Sequence, residues 1–363
     1  MSKPTPDDFF TQTLLHWHAN HHRPLPWKGE KDPYLVWLSE IILQQTRVEQ
    51  GLPYFEKFKA KYPTVQDLAD APDDEVMKLW EGLGYYSRAR NLLAAARFIA
   101  HQFGGVFPNT YEGLIALRGV GSYTAAAIAS FAFDLPHAVV DGNVFRVLSR
   151  YFGISEPVDT SSGKKLFEEL AHAQLDPARP GAFNQAIMDF GAGQCTPQTP
   201  RCPACPLRER CTSFQQNKVE AFPVKSKKIA RRQRFFNYLD IRQEESVFIK
   251  KRTGKDIWRN LYEFPLIETD SMPTDRQAVT GHPSWAKWLP GTGWRLTGIS
   301  PPFRQELTHQ RIIALFWEIE AGYNFRPAEA DWVKTERQNL ENFAFPKAIR
   351  LYLKQLFLPL ERI

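Results

Sequence analysis

The sequence predicts two domains of different class, an all-α one over residues 1–220 and an α+β one over 234–363, joined by a basic linker at 221–233. Three observations carry that division. Apolar residues recur at helical spacing through the first stretch, and no convincing strand precedes about position 230. The interval 201–234 holds ten Lys/Arg against two Glu, with Pro223 and the run Lys225-Ser226-Lys227-Lys228. Such an interval is a solvated connector or a strap along phosphates. Beyond it, aromatic and β-branched runs replace the helical texture. A chain of 363 residues is also too long for one ordinary core.

Taken in order, residues 24–33 are a proline-rich loop, and a strongly apolar helix is predicted over 34–49, with Leu35, Leu38, Ile41 and Ile42 at helical spacing. Further helices are predicted at 53–62, 73–80, 88–103, 111–117, 122–131, 143–151, 163–175 and 183–192. Asn109-Thr110 and Asp159-Thr160-Ser161 supply N-caps for two of them. Strands are predicted at 234–242, 246–251, 294–299 and 311–320, and a helix at 340–356 closes the chain.

A net charge of +6 and a pI near 9.0 point weakly to a polyanionic partner. No apolar run is long enough to span a bilayer and residues 1–8 are polar, so no membrane association and a cytoplasmic location are expected. All four cysteines fall in one short loop, Cys195-x6-Cys202-x2-Cys205-x5-Cys211, stiffened by Pro197, Pro200, Pro203 and Pro206. Clustering of this kind favours a metal site over a disulfide framework. Four thiolates suit an iron–sulfur cubane or a zinc ion, and the uneven 6-2-5 spacing favours the larger cluster. Arg201, Arg208 and Arg210 would make the loop a phosphate-binding flap.

The stretch around Leu117-Arg118-Gly119-Val120-Gly121-Ser122 is a helix end, a tight turn and an Ala-rich helix whose bare N–H groups form an anion site. Asp141 follows Ala138-Val139-Val140 and precedes Gly142-Asn143, which places it at a helix start. Glu40 lies in the apolar helix beside Leu38, Ile41 and Ile42; burial there would favour the neutral carboxyl that a general acid needs, whereas the exposed face of the helix would leave it ordinary.

Leu117 to Ala125 resembles the helix-hairpin-helix (about 111–131) of the endonuclease III superfamily of DNA glycosylases; Val140-Asp141-Gly142-Asn143-Val144 resembles its catalytic aspartate segment, and the 195–211 loop its iron–sulfur loop. Leu25-Pro26-Trp27, the run Ser39 to Val48 and Gly82-Leu83-Gly84-Tyr85-Tyr86-Ser87-Arg88 are similar to the adenine DNA glycosylases, the MutY family. The likeness covers nearly the whole chain. It implies an all-α helix-hairpin-helix glycosylase core with a [4Fe-4S] cluster on Cys195, Cys202, Cys205 and Cys211, followed by an α+β Nudix-like domain that reads oxoguanine.

The implied reaction is hydrolysis of the N-glycosidic bond of adenine mispaired with 8-oxoguanine or guanine in double-stranded DNA, by a nucleoid-associated monomer. Departing adenine needs a proton, for which Glu40 is the candidate, and the oxocarbenium sugar needs a fixed anion, for which Asp141 is the candidate. Asn143 and Tyr123 resemble the residues that orient the aspartate and the sugar. Ser122 stands where bifunctional relatives have a lysine, so no Schiff base is expected. Gly119, Val120, Gly121, Ser122, Gln45, Thr46, Arg47, Leu83 and Tyr85 fall at DNA-binding positions, among them wedge and gap-filling residues for the flipped base. Trp27, Lys28 and Gln185 fall at the adenine pocket, with Lys28 where arginine is frequent. Thr308 and His309 resemble the oxoguanine-reading pair, and Leu307 stands where phenylalanine is commoner. The metal carboxylates of a true Nudix hydrolase are missing from 230–363, so no pyrophosphatase activity is expected.

Two other readings fit parts of the sequence. An endonuclease III-like lyase for oxidised pyrimidines is opposed by Ser122 and by the added second domain. A non-catalytic iron–sulfur DNA-binding or redox module is opposed by Glu40 and Asp141.

Overall fold

The computed structural model describes residues 4–21, 23–226, 231–327, 329 and 331–357, so Lys227 and Lys228 of the basic linker lie outside the described residues. The helices of the first half are α1 (Asp8–His21), α2 (Pro33–Leu43), α3 (Val48–Lys61), α4 (Val65–Asp70), α5 (Asp73–Leu79), α6 (Ser87–Phe103), α7 (Tyr111–Ile115), α8 (Ser122–Ala132), α9 (Gly142–Phe152), α10 (Ser161–Gln174), α11 (Pro180–Gly193) and α12 (Thr212–Gln215). The second half comprises β1 (Arg232–Gln243), β2 (Ser246–Lys251), β3 (Tyr262–Glu263), β4 (Leu266–Thr269), α13 (Gln277–Thr280), α14 (Pro283–Trp288), β5 (Trp294–Ile299), β6 (Phe303–Glu306), β7 (Gln310–Ala321), β8 (Trp332–Glu336) and α15 (Lys347–Phe357). Among the described residues no helix is long and apolar enough to cross a membrane.

Packing divides the chain into one unit of Met1–Asp70 and Asn91–Lys228 and a second of Ala71–Arg90 and Ile229–Ile363. In the helical unit, Phe10 and Leu14 of α1, Val144 and Leu148 of α9, Phe167 of α10, and Phe183 and Phe190 of α11 build one core. Helix α2 starts where Asp32 accepts from the Tyr34 amide at 2.9 Å and Pro33 occupies the first turn. Its residues from Tyr34 to Ile42 are all buried, as befits a helix apolar all round. Thr110 and Thr160 cap α7 and α10, as their sequences predict.

The structure corrects the predicted 34–49 helix, which ends at Leu43. Gln45 takes a left-handed conformation (φ +55°), and a new helix begins at Val48. Gly51 explains the fold-back, because a Cβ there would lie 2.8 Å from Leu43 Cδ2; the two helices touch through its bare backbone. Helices α1 and α4 lack a predicted counterpart: α1 buries only Phe10, Thr11 and Leu14, and α4 has six residues.

The second unit is built on an eight-stranded mixed sheet, ordered β3-β2-β1-β7-β5 along its main path. Its centre is a parallel β1–β7 pair in register from Arg232/Gln310 to Arg242/Glu320, flanked by antiparallel partners. Both strands are buried through their middle, the expected pattern for a sheet covered on both faces. Trp285 and Trp288 of α14 pack in a core with Leu239 and Trp317, while Tyr352 of α15 stacks on Phe316 at 3.8 Å. Strands β3, β4, β6 and β8 have two to five residues and no predicted counterpart. Residues 71–90 belong to this second unit, a departure from a boundary at 220: Glu81 accepts from the Phe345 amide at 2.8 Å, Lys78 donates to the Phe343 carbonyl at 3.1 Å, and Tyr262 donates to Asp74 at 3.0 Å.

Candidate active site

Glu40 points from α2 into a cavity of about 1520 Å³ and is only 8 % exposed. Burial pushes its carboxyl up to about 7, against a hydrogen bond from the Tyr123 hydroxyl that favours the anion. Asp141 lines the same cavity as the N-cap of α9. Its Oδ1 accepts from the amides of Asn143 and Val144, and its Oδ2 from Asn143 Nδ2, all at 2.8 Å. Burial raises this carboxyl too, but these bonds draw it back toward the anion. Sequence and structure agree that Asp141 caps a helix, and capping leaves the carboxylate at the cavity wall.

The turn preceding α8 is set by Gly119, which has φ +83° and stands so close to Asn91 that a Cβ would fall 2.6 Å from Asn91 Cβ. Gly121 is the N-cap of α8 and Ser122 its first residue. Gly119, Gly121 and Ser122 line the cavity, whereas Val120 is buried beneath the turn. Gln45 and Thr46, in the break between α2 and α3, and Trp27, Lys28 and Gln185 line it as well, as do Tyr123 and Asn143. Arg47 is exposed at the start of α3.

The remaining predicted residues belong to the second unit. Leu83 is only 5 % exposed and packs internally. Tyr85 is exposed with φ +48°, and its hydroxyl is hydrogen-bonded to that of Thr308. Leu307, Thr308 and His309 form the turn from β6 to β7, closed by the Leu307 amide donating to the Gln310 carbonyl at 2.8 Å. His309 is exposed there.

Four functional neighbours escaped the sequence reading. Asp189 of α11 and His18 of α1 line the cavity, and Lys28 Nζ reaches Asp189 Oδ2 at 2.5 Å. A lone acid in the apolar run Ala186 to Gly191 was the available signal. Asn184 Oδ1 accepts from the Val139 amide at 3.1 Å, and its Nδ2 donates to the His137 carbonyl at 2.8 Å, which fixes the segment leading into Asp141. Arg146, buried on α9, donates to Asn143 Oδ1 at 2.8 Å and to the Gly191 and Cys195 carbonyls, both at 2.7 Å.

Cys195, Cys202, Cys205 and Cys211 carry no disulfide and line one small space of about 30 Å³, backed by Val147, Tyr151, Phe190 and Leu207. Among the described residues no three His, Cys, Asp or Glu side chains close on a position for a single ion; the four thiols surround a space instead. Burial pushes the Cys205 thiol up to about 12 and raises Cys195, which Arg150 opposes by donating to its Sγ at 3.4 Å. A polynuclear cation suits such a donor set, since it would hold all four sulfurs as thiolates. Arg201, Arg208 and Arg210 are exposed around this loop.

Comparison with known proteins then decides the family. Residues 38–172 match the family model described as "HhH-GPD superfamily base excision DNA repair protein", and residues 237–355 match that of a NUDIX domain. The adenine DNA glycosylase of Buchnera aphidicola from Acyrthosiphon pisum is 38 % identical over 257 residues, covering 70 % of this chain and 73 % of the relative. The chain belongs to the adenine DNA glycosylases. The adenine DNA glycosylase of Homo sapiens is 46 % identical over 221 residues, covering 58 % of this chain and 40 % of that longer protein. Among solved structures, a thermostable thymine-DNA glycosylase matches with a TM-score of 0.54 at 32 % identity, over 57 % of this chain and 95 % of that one. A trapped endonuclease III–DNA covalent intermediate shares the fold, with a TM-score of 0.50 at 23 % identity over 57 % and 94 %. As an adenine DNA glycosylase the chain hydrolyses N-glycosidic bonds in DNA, and its helical half has the endonuclease III fold.

Proposed function

We propose that the enzyme excises adenine mispaired with 8-oxoguanine or guanine, with Glu40 as the general acid and Asp141 as the anion that stabilises or traps the oxocarbenium sugar. The observation that carries this reading is that both carboxyls line one cavity and are held in opposite ways: Glu40 is buried among apolar neighbours and Asp141 is bound by three N–H groups. Adenine leaves the stack and enters the cavity past Gln45 and Thr46. Neutral Glu40 gives its proton to the adenine ring, the C1′–N9 bond breaks with its electron pair on the base, and water adds at C1′ and returns a proton to the Glu40 carboxylate. Tyr123 and Asn143 orient the two carboxyls through the bonds described. Ser122 offers no amine for an imine, so the product is an intact strand with an abasic site.

The bare amides at the start of α8, with Gly119, Gly121 and Ser122 at the surface, suit a phosphate of the distorted strand, and Arg47 is an exposed cation at the start of α3. Trp27, Lys28 and Gln185 cup the adenine. Thr308 and His309, at an exposed turn, read the oxoguanine with Leu307 beside them. A [4Fe-4S] cluster held by Cys195, Cys202, Cys205 and Cys211 completes this reading. Bound, the cluster supplies a rigid support for the loop carrying Arg201, Arg208 and Arg210, and the enzyme works as a monomer.

The test is to incubate the protein with duplexes carrying A opposite oxoG, A opposite G and A opposite T, and then to heat in alkali. Strand cleavage at adenine in the first two and not in the third is expected. Cleavage before alkali, or equal cleavage of all three, contradicts the proposal.

A further inference from the structure

We infer that Asn184 is a positioning residue for the anion: it holds the segment that delivers Asp141 to the cavity wall, and base release depends on it through Asp141. This rests on the proposed role of Asp141 and adds what fixes that carboxylate from the side away from α9.

The three donors to Asp141 all come from α9, its own helix, through Asn143 and Val144. They set the carboxylate relative to α9 and leave open how the chain enters the cap. That entry, residues 134–141, has neither helix nor strand. It is tied back by the Leu135 amide to the Ala129 carbonyl, and internally by the His137 amide to the Leu135 carbonyl. Between His137 and Val140 the other backbone hydrogen bonds among the described residues both go to Asn184: Oδ1 accepts from the Val139 amide at 3.1 Å, and Nδ2 donates to the His137 carbonyl at 2.8 Å. One side chain thus brackets Ala138 and fixes the direction in which the chain reaches Asp141.

The anchor is itself rigid. Asn184 is fully buried on α11, and its Nδ2 also donates to Ser130 Oγ on α8 at 2.8 Å. Three residues earlier, Gly181 lets α11 lie against the same part of α8, since a Cβ there would stand 2.8 Å from the Ser130 carbonyl oxygen. Both N–H groups of the Asn184 amide are used, and the residue does not line the cavity, so its effect on the reaction passes through the segment it holds. Asp141 caps α9 from extended backbone (φ −104°, ψ −175°), a conformation the arriving chain must supply. Without the bracket the first turn of α9 frays and the carboxylate leaves its place; a misplacement of about 1 Å costs up to about a hundredfold.

Asn184→Leu keeps the volume and removes all three bonds, whereas Ser130→Ala removes only the tie between α8 and α11 and leaves the bracket. Single-turnover release of adenine opposite 8-oxoguanine is measured for both, together with affinity for a duplex carrying a tetrahydrofuran abasic analogue at the adenine position. Asn184→Leu is expected to lose about ten- to a hundredfold in rate with affinity kept within about threefold, and Ser130→Ala to stay within about threefold in both. Added to Asp141→Asn, Asn184→Leu is expected to cost less than about threefold more, because the group it positions has gone. If Asn184→Leu does not fold, Asn184→Asp replaces it in the same cycle; it has the same shape and keeps an acceptor for the Val139 amide but sets an oxygen against the His137 carbonyl, with an expected loss of about tenfold or more. Unchanged release by the Asn184 variant, a loss of equal size with and without Asp141, or a loss shared by Ser130→Ala overturns the assignment and leaves adenine excision standing. Full activity of Asp141→Asn alone overturns the proposed role of Asp141 instead.

Discussion

Glu40 and Asp141 share one cavity and are held in opposite ways. Asp141 takes three N–H donors at 2.8 Å, and Glu40 is buried in an apolar helix with the Tyr123 hydroxyl favouring its anion only in part. Two carboxyls in different surroundings titrate apart, which is how one site holds an acid and an anion at one pH. Burial raises both, and only Asp141 has enough donors to offset much of that cost.

The first expectation concerns pH. With Glu40 at about 7, its protonated fraction falls as pH rises through that value, so single-turnover base release falls by about tenfold per pH unit well above pH 7. A rate independent of pH from 6 to 9 would remove Glu40 as the acid. The same group has a stability signature. The folded state holds its proton more tightly than the unfolded chain, for which 4.5 is ordinary, so stability is lost as pH rises from about 4.5 to 7. Glu40→Gln removes that slope, worth roughly 3 kcal/mol, and urea titrations of both proteins at pH 5 and pH 8 measure it.

Asp141→Asn separates capping from catalysis. Asparagine caps a helix about as well as aspartate, so the melting temperature is expected to stay close to that of the wild type. Base release is expected to drop by about a hundredfold or more once the anion is gone. A stable variant with full activity would make Asp141 only a cap.

Gly119 and Gly121 are expected to differ although they sit two residues apart. Gly119→Ala forces a left-handed φ on alanine, costing about 1–2 kcal/mol, and drives a Cβ to 2.6 Å from Asn91 Cβ. At Gly121 the φ is −99° and nothing lies within 4 Å of the added carbon, so only the poorer N-cap weighs against alanine there, at about 0.5–1 kcal/mol. Thermal melts of the two variants distinguish them.

Arg150 holds the cysteine loop. Its guanidinium donates to the carbonyls of Thr196 at 2.7 Å, Pro197 at 3.0 Å, Val219 at 3.0 Å and Phe222 at 3.2 Å. Arg150→Ala leaves these acceptors without their donor, at about 1–3 kcal/mol for each one that stays buried. Limited proteolysis should then cut between 195 and 222, where the wild type resists.

Much of this was legible in the sequence because it depends on neighbours in the chain. Asp141 before Gly142-Asn143 is a capping pattern, Gly119-Val120-Gly121 is a turn, and Glu40 among Leu38, Ile41 and Ile42 implies burial. What stayed hidden depends on pairing between distant segments. Asp189 becomes informative only beside Lys28 and His18, which lie 161 and 171 positions away. Arg146 reads as an ordinary helix residue until the Cys195 carbonyl arrives at 2.7 Å. The break at Gln45 was lost inside an apolar period that continues past it, because the constraint comes from Gly51 against Leu43.

The most direct test is single-turnover release of adenine opposite 8-oxoguanine, at pH 6.5, by the wild type, Glu40→Gln and Asp141→Asn, each first shown to be folded. Release by the wild type and a loss of about a hundredfold or more in both variants is the predicted result. Near-normal release by either variant would contradict the division of labour between the two carboxyls.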